Sequence, residues 1–297
     1  VTSLDSVCAE LSSRAIPTES GPDYLIAQCS HATLAAAMTA ASIACDALIV
    51  DAPYSARTHN GHDGGMEDVN EAARQDVRDN VARYALGLSP MRRQIGYIAW
   101  TPADVAAFVG LWHPLTRGWI GSLTDTDLMH SWSAAMEEVY RYAFSPLACI
   151  ESGSRFRAVG DGPPQWATWL CLSRPRSREW ARWATIEARA ARGALPLPGA
   201  YVGPSERKDV VGGKPAWLMR RIVADYSAPG DLVCDPCMGA GTTLVAAVEL
   251  GRRAIGCEPD AGRFAIAARR LREARRPLPG IVRPAAEQSA MDLGGDR

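Results

Sequence analysis

Lysine is almost missing from this chain. Lys208 and Lys214 are the two present, and arginine carries the rest of the positive charge. An excess of either sign is also missing: 32 basic against 33 acidic side chains leave a formal net charge of −1. That excludes a globally basic nucleic-acid coat and leaves such a role to local patches. The arginine bias, with many alanines, reads as GC-rich coding rather than as a binding signal. No apolar run is long enough to span a bilayer and no signal-peptide pattern is visible, so a cytoplasmic protein without membrane attachment is expected. A disulfide framework is missing too. The eight cysteines are dispersed. Cys45, Cys149, Cys171, Cys234 and Cys257 sit in apolar, strand-like runs, as buried free thiols do in a reducing compartment. Cys234-x-x-Cys237 has redox or zinc spacing, but it straddles a strand end with no second pair nearby, so no metal is expected.

What is present is ordinary globular material: 297 residues, 47% hydrophobic and 22% charged, enough for a sizeable core in one large domain or two small ones. The most informative stretch runs from Leu232 to Asp260. A short apolar strand ends on Asp235. Gly239 and Gly241 then permit a turn with positive φ and close approach of backbone to a ligand. Thr242 and Thr243 are candidate N-caps for a helix that stops at Gly251. A second strand ends on Glu258, a carboxylate placed where a ribose could sit. The bare Gly-x-Gly pattern is shared by nicotinamide and flavin enzymes and by plain turns.

A second informative stretch is Asp46 to Tyr54. A buried apolar strand delivers Asp51, Ala52, Pro53 and Tyr54 at its carboxyl end, the edge of an open α/β sheet where ligands bind. Residues 55–96 follow without strong periodicity. There His59-x-x-His62-Asp63 has metal-ligand residue types, but a glycine-rich loop near the site is the preferred reading. Thr101-Pro102-x-Asp104 predicts a helix start, with Val105, Phe108, Val109 and Trp112 on one face. Strands are predicted at Trp119–Leu123, Phe144–Ile150 and Trp166–Ser173, and a helical stripe at Leu128, Trp132, Ala135, Met136 and Val139. From Arg174 to Arg192, six arginines interleave with Trp180 and Trp183. Guanidinium forks match phosphates and guanine edges, and indoles stack on bases, so the segment is read as DNA-facing over the alternative of a solvated helix. Residues 195–213 read as a linker, and Leu218, Ile222 and Tyr226 as one face of a helix. In the last helix Phe264, Ala268 and Leu271 point inward and the arginines outward.

These motifs resemble those of S-adenosylmethionine-dependent DNA amino-methyltransferases. Asp235-Pro236-Cys237-Met238-Gly239-Ala240-Gly241-Thr242-Thr243 resembles their cofactor motif, commonly Asp-Pro-Phe-x-Gly-x-Gly-Thr-Thr, with Cys237 in place of phenylalanine. Asp51-Ala52-Pro53-Tyr54 resembles their catalytic Asp-Pro-Pro-Tyr, with Ala52 in place of proline. Gly213-Lys214-Pro215 resembles their Lys-Pro motif beside the methionine end of the cofactor. The tetrad precedes the glycine motif, the order of the permuted beta class. The run Ala27-Gln28-Cys29-Ser30 lacks the aspartate that class usually places near the cofactor's adenine, so backbone contacts at most are expected there.

The resemblance implies an α/β Rossmann-like methyltransferase fold with a mostly parallel seven-stranded sheet and circularly permuted motif order. The domain would span residues 23–276, with a flexible lead-in at 1–22, a tail at 277–297, and DNA-facing loops at 55–96 and 174–212. S-adenosyl-L-methionine would lie against Lys214, Pro215, Asp235, Pro236, Cys237, Met238, Gly239, Gly241, Thr242, Glu258 and Pro259. Catalysis would rest on Asp51, Ala52, Pro53 and Tyr54: carboxylate and carbonyl accept the amine's hydrogens while the tyrosine stacks on an extruded base. Arg57, His59, Arg174, Arg176, Arg178 and Trp180 are the DNA-contact candidates. The implied substrate is double-stranded DNA methylated at adenine N6. Cytosine N4 is the nearest rival; its enzymes more often begin the tetrad with serine, and Asp51 tilts the reading to adenine. A catalytically inactive DNA-binding module is the more distant rival. Beta-class members often pair as homodimers, and a cognate restriction enzyme is a partner the resemblance allows.

Overall fold

The computed structural model describes residues 3–58, 98–152, 167–206 and 213–274. The chain opens with α1 (Ser3–Ser13), the hairpin β1 (Thr18–Gly21) and β2 (Tyr24–Ala27), then α2 (His31–Ala40) and β3 (Cys45–Asp51). Next come α3 (Pro102–Trp112), β4 (Thr116–Thr124), α4 (Met129–Glu138), β5 (Tyr142–Ala143), β6 (Leu147–Ser152) and β7 (Ala167–Arg174). Two short helices, α5 (Arg178–Trp183) and α6 (Ile186–Ala191), precede β8 (Ala200–Pro204) and α7 (Ala216–Tyr226). The glycine motif spans β9 (Leu232–Asp235), α8 (Thr242–Glu249) and β10 (Arg253–Cys257), and α9 (Ala261–Glu273) follows.

These strands form one sheet in the order β1-β2-β10-β9-β3-β4-β7-β6-β8, with β5 added against β7. The expected seven-stranded body is the run from β2 to β6, parallel except for β7, which pairs antiparallel with both neighbours. The described sheet has ten strands rather than seven, because β1, β5 and β8 extend it. β9 and β10, late in the chain, sit between β2 and β3, so the glycine motif lies in the middle of the sheet beside the tetrad's strand.

Period-two side-chain alternation in the central strands feeds two cores. Leu48 and Val50 face the layer containing α1 to α4, where Leu34, Met38, Phe108, Trp112 and Trp132 are buried. Ala47 and Ile49 face the layer of α7, α8 and α9, with Ile222, Leu244 and Leu271. Burying each large aliphatic side chain is worth about 1.5–3 kcal/mol. Thr101 caps α3 as the sequence suggests: its side chain accepts from Asp104 N–H while Asp104 accepts from Thr101 N–H, a reciprocal capping box.

Several expectations are corrected. The expected flexible lead-in carries regular structure from Ser3 onward: α1 buries Leu4, Val7 and Leu11 against the core, and β1 pairs with β2. The predicted linker contains β8, which pairs parallel with β6. The strand predicted over Phe144–Ile150 begins only at Leu147, as β6, and the two-residue β5 precedes it. Gly241, not a threonine, caps α8, in the left-handed conformation at φ 77°. In α9 the buried residues are Ala267, Ala268 and Leu271, while Phe264 is half-buried. The tail at 277–297, most of the 55–96 loop and residues 207–212 lie outside the described residues.

Candidate active site

The site forms where β3 and β9 end side by side. Ala47 pairs with Val233 and Leu48 with Cys234 in parallel register, so Asp51 and Asp235 leave the same edge of the sheet on neighbouring strands. Asp51 is held from two sides. Tyr54 Oη donates to Asp51 Oδ1 at 3.1 Å and Lys214 Nζ donates to Asp51 Oδ2 at 3.0 Å. The Lys214 ammonium also lies 4.8 Å from the centre of the Tyr54 ring, within cation–π range. Ala52 is buried and Pro53 half-buried. The Tyr54 carbonyl accepts from Trp100 N–H at 2.9 Å, which fixes the chain's exit from the tetrad.

The glycine turn closes on itself and on β10. Asp235 Oδ1 accepts from Cys237 N–H at 3.1 Å, Gly241 N–H donates to Met238 O at 2.7 Å, and Met238 N–H donates to Cys257 O at 3.2 Å. Pro236 O accepts from Cys257 Sγ at 3.2 Å. Glu258 bridges the two halves, accepting from Gly239 N–H at 3.1 Å and from Asp260 N–H at 3.0 Å. Gly239 has φ 52°, and a side chain there would meet no atom within 4 Å, so open space lies over the turn. Thr242 Oγ1 accepts from Arg270, which also donates to Ala240 O. One arginine of α9 expected to point outward therefore turns back onto the motif. Pro215 caps α7, its carbonyl accepting from Met219 N–H, and Pro259 is exposed.

Three carboxylates share this edge. Burial pushes the Asp235 carboxyl up to about 7; the charges of Asp51 and Glu258 add to that, and hydrogen bonds from Thr243 and Cys237 N–H oppose it. Burial also raises Glu258, partly offset by the N–H groups of Asp260 and Gly239 and by the Arg263 charge. Such a wall favours a cation, which would restore the ionised forms. Among the described residues no cluster of His, Cys, Asp and Glu could hold a metal ion, and the cysteines are free thiols.

The DNA-contact candidates divide. Arg57 lies on the site's rim, exposed and paired with Asp127 at 3.3 Å. His59 lies outside the described residues. Trp180 packs against Gly118 and the Asp46 carbonyl, at the amino ends of β4 and β3, the edge opposite Asp51. Arg174 and Arg176 run onto that edge too, because β7 is antiparallel to β4; they stack over Tyr142 and Tyr140 at 4.7 and 5.1 Å. Arg178 is exposed at the start of α5. The structure does not bring these four together with the tetrad. Arg189, counted with them in the sequence, is buried and paired with Asp225 at 3.0 Å.

A surface cleft of about 230 Å³ opens among α7, α8 and α9, lined by Ala216, Arg220, Thr242, Glu249, Arg270 and Glu273. It meets the glycine motif only at Thr242 and includes none of Asp51, Tyr54, Asp235 or Glu258. The site is therefore defined by the strand ends rather than by this cleft. One residue escaped the sequence reading. Asp125, just past β4, is buried and binds the segment following the tetrad. Its signal was available, an aspartate delivered at the end of an apolar strand, as with Asp51.

Comparison with known proteins agrees with this geometry. Residues 169–269 match the N6_N4_Mtase family, described as DNA methylase. A stretch of 58 residues is 43% identical to the Type II methyltransferase M2.DpnII of Streptococcus pneumoniae, covering 20% of this chain and 22% of that protein. The chain thus matches about a fifth of the length of the curated relatives it resembles. In fold it is similar to M1.HpyAVI, with TM-score 0.55 and 18% identity over 84% of this chain and 98% of that one. It is also similar to the cytosine-N4-specific PvuII DNA methyltransferase, with TM-score 0.53 and 10% identity over 91% and 92% of the two chains. At these identities the likeness establishes a methyltransferase fold. Family match, relatives and fold together support an amino-methyltransferase.

Proposed function

We propose that this chain transfers a methyl group from S-adenosyl-L-methionine to the exocyclic N6 of an adenine flipped out of double-stranded DNA. The observation that carries this reading is the meeting of Asp51 and Tyr54 with the Asp235–Gly241 turn at the ends of two adjacent parallel strands. The residues suit the cofactor. Gly239 leaves open space over a turn walled by Asp235 and Glu258, and the carboxylates favour a positive ligand. Lys214, Pro215, Pro236, Cys237, Met238, Gly241, Thr242 and Pro259 complete the proposed contact set. S-adenosyl-L-methionine supplies an already activated sulfonium methyl, so no metal is needed.

The chain's part is to make a conjugated amine nucleophilic. Asp51 accepts one amine hydrogen and the Ala52 carbonyl the other, drawing the nitrogen towards tetrahedral geometry and aiming its lone pair. Pro53 stiffens that turn, and Tyr54 offers its ring to the extruded base. The amine proton lost on methylation leaves through Asp51. Arg57 is the proposed DNA contact on the same edge, and His59, outside the described residues, is carried with it as a candidate from the sequence. Arg174, Arg176, Arg178 and Trp180 would require DNA to reach the opposite edge. The order of motifs supports the permuted beta class, and the resemblance further implies pairing as a homodimer and a restriction-modification setting.

Asp51 at the head of the tetrad favours adenine, while the fold of the cytosine-N4-specific PvuII enzyme favours the second reading, cytosine N4. Incubation of the chain with labelled S-adenosylmethionine and mixed-sequence duplex DNA, followed by nucleoside chromatography, separates them. Label in N6-methyladenine is expected. Label in N4-methylcytosine establishes the second reading, and no label in either base overturns both.

A further inference from the structure

Asp125 accepts four hydrogen bonds beside the tetrad. Its Oδ2 accepts from Ser55 N–H at 2.9 Å, Ser55 Oγ–H at 2.6 Å and Thr58 Oγ–H at 2.6 Å. Its Oδ1 accepts from Leu128 N–H at 3.1 Å. The residue is 4% exposed. Burial alone would raise its pKa, but the bonds from Ser55, Thr58 and Leu128 outweigh it and hold the group below its ordinary value. Three donors therefore converge on one ionised oxygen, and two belong to the residue directly after Tyr54.

The tetrad itself has little regular structure. β3 ends at Asp51, and residues 52–55 are neither helix nor strand. A tyrosine there would swing unless the chain beyond it were tied down. Trp100 N–H holds the Tyr54 carbonyl on one side and Asp125 holds Ser55 on the other. Asp125 reaches this position because β4 pairs parallel with β3, with Asp51 opposite Leu123, two residues before it.

We propose that Asp125 is a positioning residue for the methyl-transfer reaction. It fixes the backbone of residues 54–58, so that the Tyr54 ring stands where the base stacks and its hydroxyl stays on Asp51. The proposal deepens the amino-methyltransferase reading and rests on it for its catalytic consequence. Asp125→Asn is the discriminating variant. An amide keeps the shape but has one acceptor oxygen where Asp125 uses two, so whichever way it turns, the backbone N–H of Ser55 or of Leu128 faces an NH₂ donor and the anchored position of the side chain is lost.

The full chain is compared with Asp125→Asn, Ser55→Ala and the double variant in three measurements. In methyl transfer to duplex DNA, Asp125→Asn is expected to lower kcat by about 10- to 100-fold, the range a 1 Å misplacement produces. Binding of S-adenosylmethionine by calorimetry should be unchanged, and the double variant should be no worse than Asp125→Asn alone, as for groups acting as one unit. In hydrogen exchange, Asp125→Asn should lose protection within residues 51–58 while the rest of the sheet keeps it. Wild-type kcat in Asp125→Asn, multiplying effects in the double variant, or unchanged exchange at 51–58 would each overturn the proposal. A wild-type chain that transfers no methyl, yet loses protection at 51–58 on substitution, would overturn the functional reading while the tether itself stands.

Discussion

Lys214 Nζ donates to Asp51 Oδ2 at 3.0 Å although 163 residues separate them in the chain. The contact joins the loop before α7 to the end of β3. It places the chain's one described lysine on the carboxylate that the tetrad presents, with 9% of the lysine side chain exposed.

Lys214→Met is expected to reduce methyl transfer far more than it unfolds the chain. Losing a partly buried charged hydrogen bond costs about 1–3 kcal/mol of stability. The Asp51 carboxylate meanwhile loses the partner that orients Oδ2. Lys214→Arg should restore activity only in part, because a guanidinium can still pair with Asp51 and stack on Tyr54 but is wider than the ammonium it replaces in a side-chain site only 9% exposed. Initial rates together with thermal melting check this; an active Lys214→Met would count against the arrangement.

Asp235 makes the cofactor-free chain sensitive to pH. Its carboxyl is raised from an ordinary 3.8 to about 7, so the folded state keeps a proton that the unfolded state loses. The resulting contribution to stability is complete below about 4 and disappears as pH rises through about 7. Asp235→Asn should flatten that decline in a melting series from pH 4 to 8. Binding a sulfonium cation favours the ionised carboxyl, so S-adenosylmethionine should bind more tightly as pH rises towards 7. Below that pH it should release a proton, measurable by calorimetry in buffers of different ionisation enthalpy.

Arg189 ties α6 and β8 to α7. It donates to Asp225 Oδ1 at 3.0 Å, to Asp225 O at 2.7 Å and to Leu195 O at 2.5 Å, while Tyr201 Oη donates to Asp225 Oδ2 at 2.9 Å. Arg189→Ala leaves that acid buried without its cation and should destabilise the chain by about 3–5 kcal/mol. Duplex DNA affinity of the surviving folded fraction should be unchanged, since this guanidinium does not face solvent. Denaturant unfolding and a binding titration test the two halves.

Gly256 in β10 runs directly against the Asp235 strand end. A Cβ there would stand 2.5 Å from the Asp235 carbonyl oxygen and 2.7 Å from Leu244 Cδ1. Gly256→Ala must push β9 and β10 apart at the glycine turn, at a cost of about 1–3 kcal/mol, as for overpacked cores. Cofactor affinity should fall with stability, whereas Gly199→Ala, where nothing lies within 4 Å, should change neither.

The central part of this structure was legible because its signals are local. A short β-branched apolar run ending in Asp51, Pro53 and Tyr54 reads as a strand reaching a sheet edge, and Thr101-Pro102-x-Asp104 carries its own cap. The helix at Ser3–Ser13 escaped because serines dilute the Leu4, Val7, Leu11 spacing that buries it. β8 escaped because prolines and glycines around it read as linker, while its pairing partner β6 lies about fifty residues earlier. Arginines 174 to 192 were misplaced for the same reason. Whether a guanidinium meets solvent, a tyrosine face or a buried aspartate depends on elements distant in sequence, and β7 runs against its neighbours. Chain direction, not composition, put Arg174 and Arg176 on the far edge.

The most direct measurement is transfer of labelled methyl from S-adenosylmethionine to duplex DNA by the wild-type chain and by Asp51→Ala, both shown folded by melting. Expected is incorporation by the wild type and a loss of at least about a hundredfold in the variant, the scale of removing a group that acts on the reacting atom. Equal incorporation by the two proteins would contradict a catalytic role for the carboxylate at the end of β3.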